Sequence, residues 1–290
     1  MLLFIYNYHK IIGGGGRPNL MESQIMQDIN SLPPLSSTIT KLQSISLEKD
    51  TSIKEVVYIV QEDPFLSADI IKSANSPIYG FSHKITSVTQ AISLFGIVTI
   101  KGLAISSVIR SSFEIDLEPY KLDTEQFIKT SLTKSKFMLQ WYKHEIKKLE
   151  ILMPTSLLMH MGMVIISEYI KKLGKAKEFK ALIDEDHFLN RELQIAGNTQ
   201  YEILELLFSH WNFEETMVET MRFLYSNDVP DSLKQYVYPL RVLNTIITPY
   251  KIATQEQIAE CIDLIEEYEL DIALFNEALV KIQNMDLGNA

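Results

Sequence analysis

Ser52-Ile-Lys-Glu-Val-Val-Tyr-Ile-Val-Gln-Glu-Asp-Pro-Phe-Leu66 announces two helices back to back. Ser52 and Glu55 stand at capping-box spacing: the serine oxygen takes a free N–H of the first turn and the glutamate reaches back to the cap. Ile53, Val56, Val57 and Val60 then recur at i, i+3, i+4 and i+7, one face of an α-helix. Asp63-Pro64 closes that helix and opens the next, because aspartate caps and a proline in the first turn has no needed N–H to lose. The same grammar continues down the chain. Ser87–Gln90, Thr199–Glu202 and Thr254–Gln257 repeat the box, each followed by an apolar stripe such as Val88, Ala91, Ile92 and Phe95. Gly96 and Gly197 stand where helices end.

No strict apolar–polar alternation bounded by turns occurs, and no Asn-Gly or Asp-Gly hairpin signal. Residues 97–109 are rich in β-branched side chains, yet Ile97, Ile100, Lys101, Ala104, Ile105 and Val108 keep the helical period. The resulting fold class is all-α, a two-lobed multi-helix bundle. Residues 1–20 read as an extraneous or disordered leader, since the apolar run 2–12 is broken by Asn7, His9 and Lys10 and Gly13–Gly16 come after it. Met21 begins a helix-like segment. A front lobe of short helices is expected over 21–115, a linker near Pro119, and a second lobe of longer helices over 120–285.

Composition narrows the function. With 46% hydrophobic and 22% charged residues the chain is globular rather than disordered. The 27 basic against 37 acidic residues argue against a phosphate-tracking nucleic-acid binder. Acid concentrates in the tail 251–290, where nine carboxylates face only Lys251 and Lys281. A solvated helix face explains that tail, and a docking surface for a basic partner is the alternative. No run reads as a membrane span, which needs about 20 apolar residues. Cys261, the single cysteine, forms no internal disulfide and suits a cytoplasmic location.

Catalytic motifs are missing. No nucleophile elbow, P-loop or dinucleotide fingerprint is present. The six histidines include no H-x-x-x-H and no His-Asp pair. His160, within Ser156-Leu-Leu-Met-His-Met-Gly-Met163, is the best candidate for a metal ligand, but the context favours a satisfied core histidine. Met159, Met161 and Met163 read as packing, and Trp141 and Trp211 as core.

Residues 32–113 carry Leu32-Pro-Pro-Leu35, Asp63-Pro-Phe-Leu66, Ile70-Ile-Lys-Ser-Ala-Asn-Ser-Pro-Ile-Tyr-Gly-Phe81, Ile85-Thr-Ser-Val-Thr-Gln-Ala-Ile92 and Leu94-Phe-Gly96. In this order they resemble the HDOD domain, the HD-related output domain of bacterial signalling proteins. The resemblance continues through Ser131, the His160 segment and Trp211-Asn-Phe213, about 25–285 in all, and is weakest over the acidic tail. It implies a second lobe like the HD metal-dependent phosphohydrolases, named for a His-Asp metal-binding pair. It also places the hydrolase ligand positions at Thr130, His160, Met161, Gln200, Phe223, Leu224 (with Tyr225 beside it) and Asn244. Only the histidine remains, so the resemblance implies no bound metal, no cofactor and no catalytic residues.

The segment Ala74-Asn-Ser-Pro-Ile-Tyr-Gly80 is open to two readings. Asn75, Ser76 and Gly80 close a helix and turn the chain, with Tyr79 as an anchor; or the joint is a recognition loop. The functional expectation is a non-catalytic signal-transduction module that binds a signalling protein or a nucleotide-like ligand. A residual metal-dependent phosphohydrolase acting on nucleotides or cyclic dinucleotides is the alternative.

Overall fold

The computed structural model describes residues 21–45, 52–76, 79, 83–112, 115–183 and 188–287. The leader 1–20 and Gly80 lie outside the described residues. The helices are α1 (Met21–Asn30), α2 (Ser37–Ser44), α3 (Ile53–Gln61), α4 (Pro64–Ala74), α5 (Val88–Ser112), α6 (Thr124–Trp141), α7 (Ile146–Leu158) and α8 (Gly162–Lys172). They continue with α9 (Ala176–Leu182), α10 (Phe188–Ala196), α11 (Gln200–His210), α12 (Glu215–Phe223), α13 (Asp231–Ile246), α14 (Gln255–Glu267) and α15 (Ile272–Leu287). A 3-10 turn, Glu118–Tyr120, precedes α6. Among the described residues there is no strand, only an isolated bridge between Ile247 and Ile252. The chain is all-α.

The caps explain where helices begin. Ser52 Oγ accepts the Glu55 N–H at 3.2 Å, and Asp63 Oδ1 accepts those of Phe65 and Leu66, each at 3.0 Å. Thr199 with Glu202 and Thr254 with Gln257 form reciprocal boxes. At Ser87 the serine takes the Gln90 N–H, but the Gln90 side chain reaches one residue further, to the N–H of Thr86. Gly96 sits at φ 76°, ψ 166°, so α5 is two helices joined at a sharp break. A side chain resists that backbone conformation, which is the physical content of a glycine at a helix end. The β-branched stretch 97–109 is helical, as its period requires.

Two stretches are apolar and long enough to meet the criterion for a membrane span, Val88–Val108 and Ile146–Lys172, which corrects the expectation that no run would do so. The first is broken at Gly96. The second is interrupted by a turn at 159–161, and 94% of its most apolar window is buried by protein. Core burial accounts for its composition.

The chain divides into two compact units, but not at the expected place. One holds 1–33, 113–130 and 159–270; the other holds 34–112, 131–158 and 271–290. The linker near Pro119 is therefore close to one of five crossings. Residues 21–33 leave the front unit because the Trp211 indole N–H donates to the Pro33 carbonyl and His210 Nε2 meets the Leu32 carbonyl. Residues 131–158 join it because α7 packs on α5, where Gly102 lets Pro154 approach. The acidic tail is split as well. Phe275 of α15 is fully buried edge-on against Phe137 and Trp141, and the Trp141 indole N–H donates to the Asp271 carbonyl.

Phe275→Ala should therefore destabilise the front unit by about 3–5 kcal/mol, the usual cost of emptying a buried aromatic site. Chemical denaturation followed by Trp141 fluorescence in a Trp211→Phe background measures it. A loss below about 1 kcal/mol would detach α15 from that core.

Candidate functional site

His160 lies in the turn between α7 and α8, 2% exposed. The start of α8 fixes its position. Gly162 opens that helix so close to α11 that a Cβ there would fall 2.0 Å from the Gln200 carbonyl oxygen. The missing side chain lets the His160 turn meet the N-terminus of α11. His160 Nδ1 is 2.8 Å from Gln200 Oε1, and Nε2 is 2.9 Å from Asn244 Oδ1.

From Asn244 the hydrogen bonds continue outward. Its Nδ2 donates to the Tyr201 hydroxyl at 2.7 Å and to the Tyr225 hydroxyl at 2.5 Å. The two tyrosine rings stack, with centroids 4.8 Å apart. On the opposite side, Glu192 of α10 is completely buried. It accepts the Tyr120 hydroxyl on Oε1 and the Gln200 N–H on Oε2, each at 2.8 Å. Glu192 thus supplies a carboxyl oxygen to the first N–H of α11.

Four positions predicted from sequence, His160, Gln200, Asn244 and Tyr225, are linked by direct hydrogen bonds. The others are not. Thr130 turns its hydroxyl back to the Gln126 and Phe127 carbonyls of its own helix. Met161 is buried in the first turn before α8. Phe223 and Leu224 contribute carbonyls, not side chains: Arg241 Nη2 donates to Phe223 at 3.0 Å and Nε to Leu224 at 2.6 Å, with a further bond to Ser226. That guanidinium caps the C-terminus of α12.

Sequence reading missed Tyr120, Glu192, Tyr201 and Arg241. Glu192 had a signal, since it stands on the buried stripe of Phe188, Leu189, Ile195 and Ala196. A carboxylate at such a position is buried and needs donors.

The donor set does not fit a divalent ion. Both ring nitrogens of His160 are engaged by amide oxygens, which leaves neither lone pair for a metal. Among the described residues, no three His, Cys, Asp or Glu side chains converge. Hard ions want carboxylate oxygen or open imidazole nitrogen. What the site holds is a chain of neutral donors and acceptors with one carboxyl. A carbonyl oxygen only accepts, so two oxygens facing the imidazole ask it for two N–H groups. Gln200 Nε2 is buried without a partner in this orientation, and turning that amide over gives it the Nδ1 lone pair of a neutral ring.

In the front unit the other candidate group has a structural part. Asn75 Nδ2 donates to the Ile71 and Ile85 carbonyls, and its Oδ1 accepts the Ile85 N–H, so this side chain ties the end of α4 to the approach of α5. Ser76 continues the turn, its carbonyl accepting the Tyr79 N–H. Tyr79 is buried edge-on against Phe95 with the Lys136 ammonium over its ring. The anchor reading suits Asn75, Ser76 and Tyr79.

Burial pushes the Glu192 carboxyl up from 4.5 to about 8, against the pull of its Gln200 and Tyr120 donors, and Glu202 adds to the rise. Burial likewise raises the Tyr120 and Tyr201 hydroxyls. Because the folded chain holds the Glu192 proton more tightly than the unfolded one, this stabilisation is complete below about pH 4.5. It is lost as pH rises toward about 8. Glu192→Gln should abolish that slope, so urea midpoints of wild type should fall relative to the variant between those limits; parallel curves would refute it. Gly162→Ala should cost about 3 kcal/mol, at the upper end for overpacking, because a backbone carbonyl must move. Thermal unfolding checks it, and an unchanged Tm would mean that α8 and α11 can separate freely.

The family model described as the HDOD domain matches residues 32–227. No curated protein matches the chain. Among solved structures, a virulence factor from Campylobacter jejuni subsp. jejuni is 27% identical, with TM-score 0.58, covering 93% of this chain and 97% of that one. An HDOD domain protein with unknown function from Geobacter sulfurreducens is 17% identical, with TM-score 0.61, covering 91% and 95%. A candidate phosphohydrolase from Shewanella amazonensis is 20% identical, with TM-score 0.66, covering 94% and 99%. The last two establish likeness of fold.

Proposed function

The chain belongs to the HDOD domain family, and on that premise we propose that it is a non-catalytic output module of bacterial signal transduction. It acts by binding a signalling protein or a nucleotide-like small ligand. One observation carries this reading: His160, the single histidine left at the hydrolase ligand positions, spends both ring nitrogens on the amides of Gln200 and Asn244. Metal-dependent hydrolysis needs an ion that lowers the pKa of bound water and neutralises the phosphate, held by groups carrying negative charge. Two amides and two tyrosines supply neither.

The second reading, a residual metal-dependent phosphohydrolase, is favoured by the fold shared with the Shewanella amazonensis protein. Fold alone assigns no chemistry. The 27% identical Campylobacter jejuni protein is described as a virulence factor, a role that a module acting by contact can serve. The net charge of −10 supports protein or small-ligand partners over nucleic acid, and the single cysteine supports a cytoplasmic site of action.

Protein loaded with manganese and offered nucleotide monophosphates and cyclic dinucleotides should give no turnover above the buffer blank. Turnover that His160→Ala abolishes would replace this reading with the hydrolase.

A further inference from the structure

We propose that the network centred on Asn244 takes over the cross-linking that a divalent ion performs in a hydrolase of this fold, so that the unit holding 113–130 and 159–270 is fastened without metal. The inference rests on the reading that this site holds no ion, and it assigns the site a mechanical role.

An ion bound between helices fastens the segments that supply its ligands. Here Asn244 of α13 gathers three of them. Its Oδ1 meets His160 from the α7–α8 turn, and its Nδ2 reaches Tyr201 of α11 and Tyr225 beyond α12. A fourth and a fifth join through Gln200, whose Oε1 meets His160 and whose N–H donates to Glu192 of α10; Glu192 in turn holds Tyr120 of the 3-10 turn. The links join different segments, from 8 residues apart between Glu192 and Gln200 to 84 between His160 and Asn244.

The hub requires an amide. Asparagine offers an acceptor to His160 and two donors to the tyrosine hydroxyls in one planar group, whereas a carboxylate offers acceptors only. Arg241 assists from one turn earlier on α13. It grips the carbonyls of Phe223, Leu224 and Ser226 and so holds the Tyr225 backbone where its hydroxyl reaches Asn244. Groups satisfied in this way act as a unit, because losing one member strands buried partners.

A double-mutant cycle with His160→Leu and Asn244→Leu tests the proposal, with Tm read by calorimetry in excess EDTA and again in excess MnCl2. Each single change should lower Tm by about 5–10 °C, from about 2–4 °C per kcal/mol for a chain of this size. The double variant should lie within about 2 °C of the weaker single one, because the second change removes a network already broken. Manganese and EDTA should give the same wild-type value. Additive losses would overturn the proposal, as would a saturable rise of wild-type Tm with manganese. Should a leucine variant not fold, Tyr225→Phe deletes one acceptor at the half-buried edge. A fall of a few degrees that manganese does not restore supports the network, and an unchanged Tm overturns it. Manganese stabilisation without turnover would sink this inference and leave the non-catalytic reading intact, whereas turnover would sink that reading.

Discussion

The contact of Gly162 with the Gln200 carbonyl sets the geometry of the interior site. Two helix N-termini, those of α8 and α11, meet there with no side chain between them. The closeness places His160 within 2.8 Å of the Gln200 amide and sets Gln200 N–H on Glu192. A methyl group at 162 would require the α11 backbone to retreat, and every link outward through Asn244 would lengthen with it. Hydrogen bonds tolerate little of that, since a donor at about 3.6 Å no longer bonds.

The helices were legible because their signals are local. Ser52, Asp63, Thr199 and Thr254 act within three residues of themselves, so each caps its helix as the sequence spells it, although only Thr199 and Thr254 have the reciprocal box and Ser52 the serine half alone. The division into units was not legible, because it depends on which helix faces find each other. Phe275 stands in an acidic tail that reads as a solvated face, yet packing against Phe137 and Trp141 assigns 271–287 to the other unit. The segment Thr133-Lys-Ser-Lys136 is polar in sequence and entirely buried. Burial pushes the Lys134 ammonium well below its ordinary range, a cost no local propensity encodes.

The site was legible in part for the same reason. Position along the family pattern pointed to His160, Gln200, Asn244 and Tyr225, and these do join in one set of hydrogen bonds. The pattern also pointed to Thr130, Phe223 and Leu224, none of whose side chains joins these hydrogen bonds. A threonine on a helix satisfies its hydroxyl on its own carbonyls, as Thr130 does. Phe223 and Leu224 matter through backbone carbonyls that any residue would supply, which is why nothing in their identity announced Arg241.

The buried charges of this unit are handled by opposite means. Arg241 faces three carbonyls at the end of α12, where the C-terminal dipole of that helix favours a cation. Glu192 has a helix N-terminus and a tyrosine hydroxyl but no cation, and burial outweighs those two donors. One group thus anchors α13 to the end of α12, while the other is held toward its neutral form by burial. The Glu192 proton is thus set by burial against two donors, whereas the place of Arg241 is set by the carbonyls that end α12.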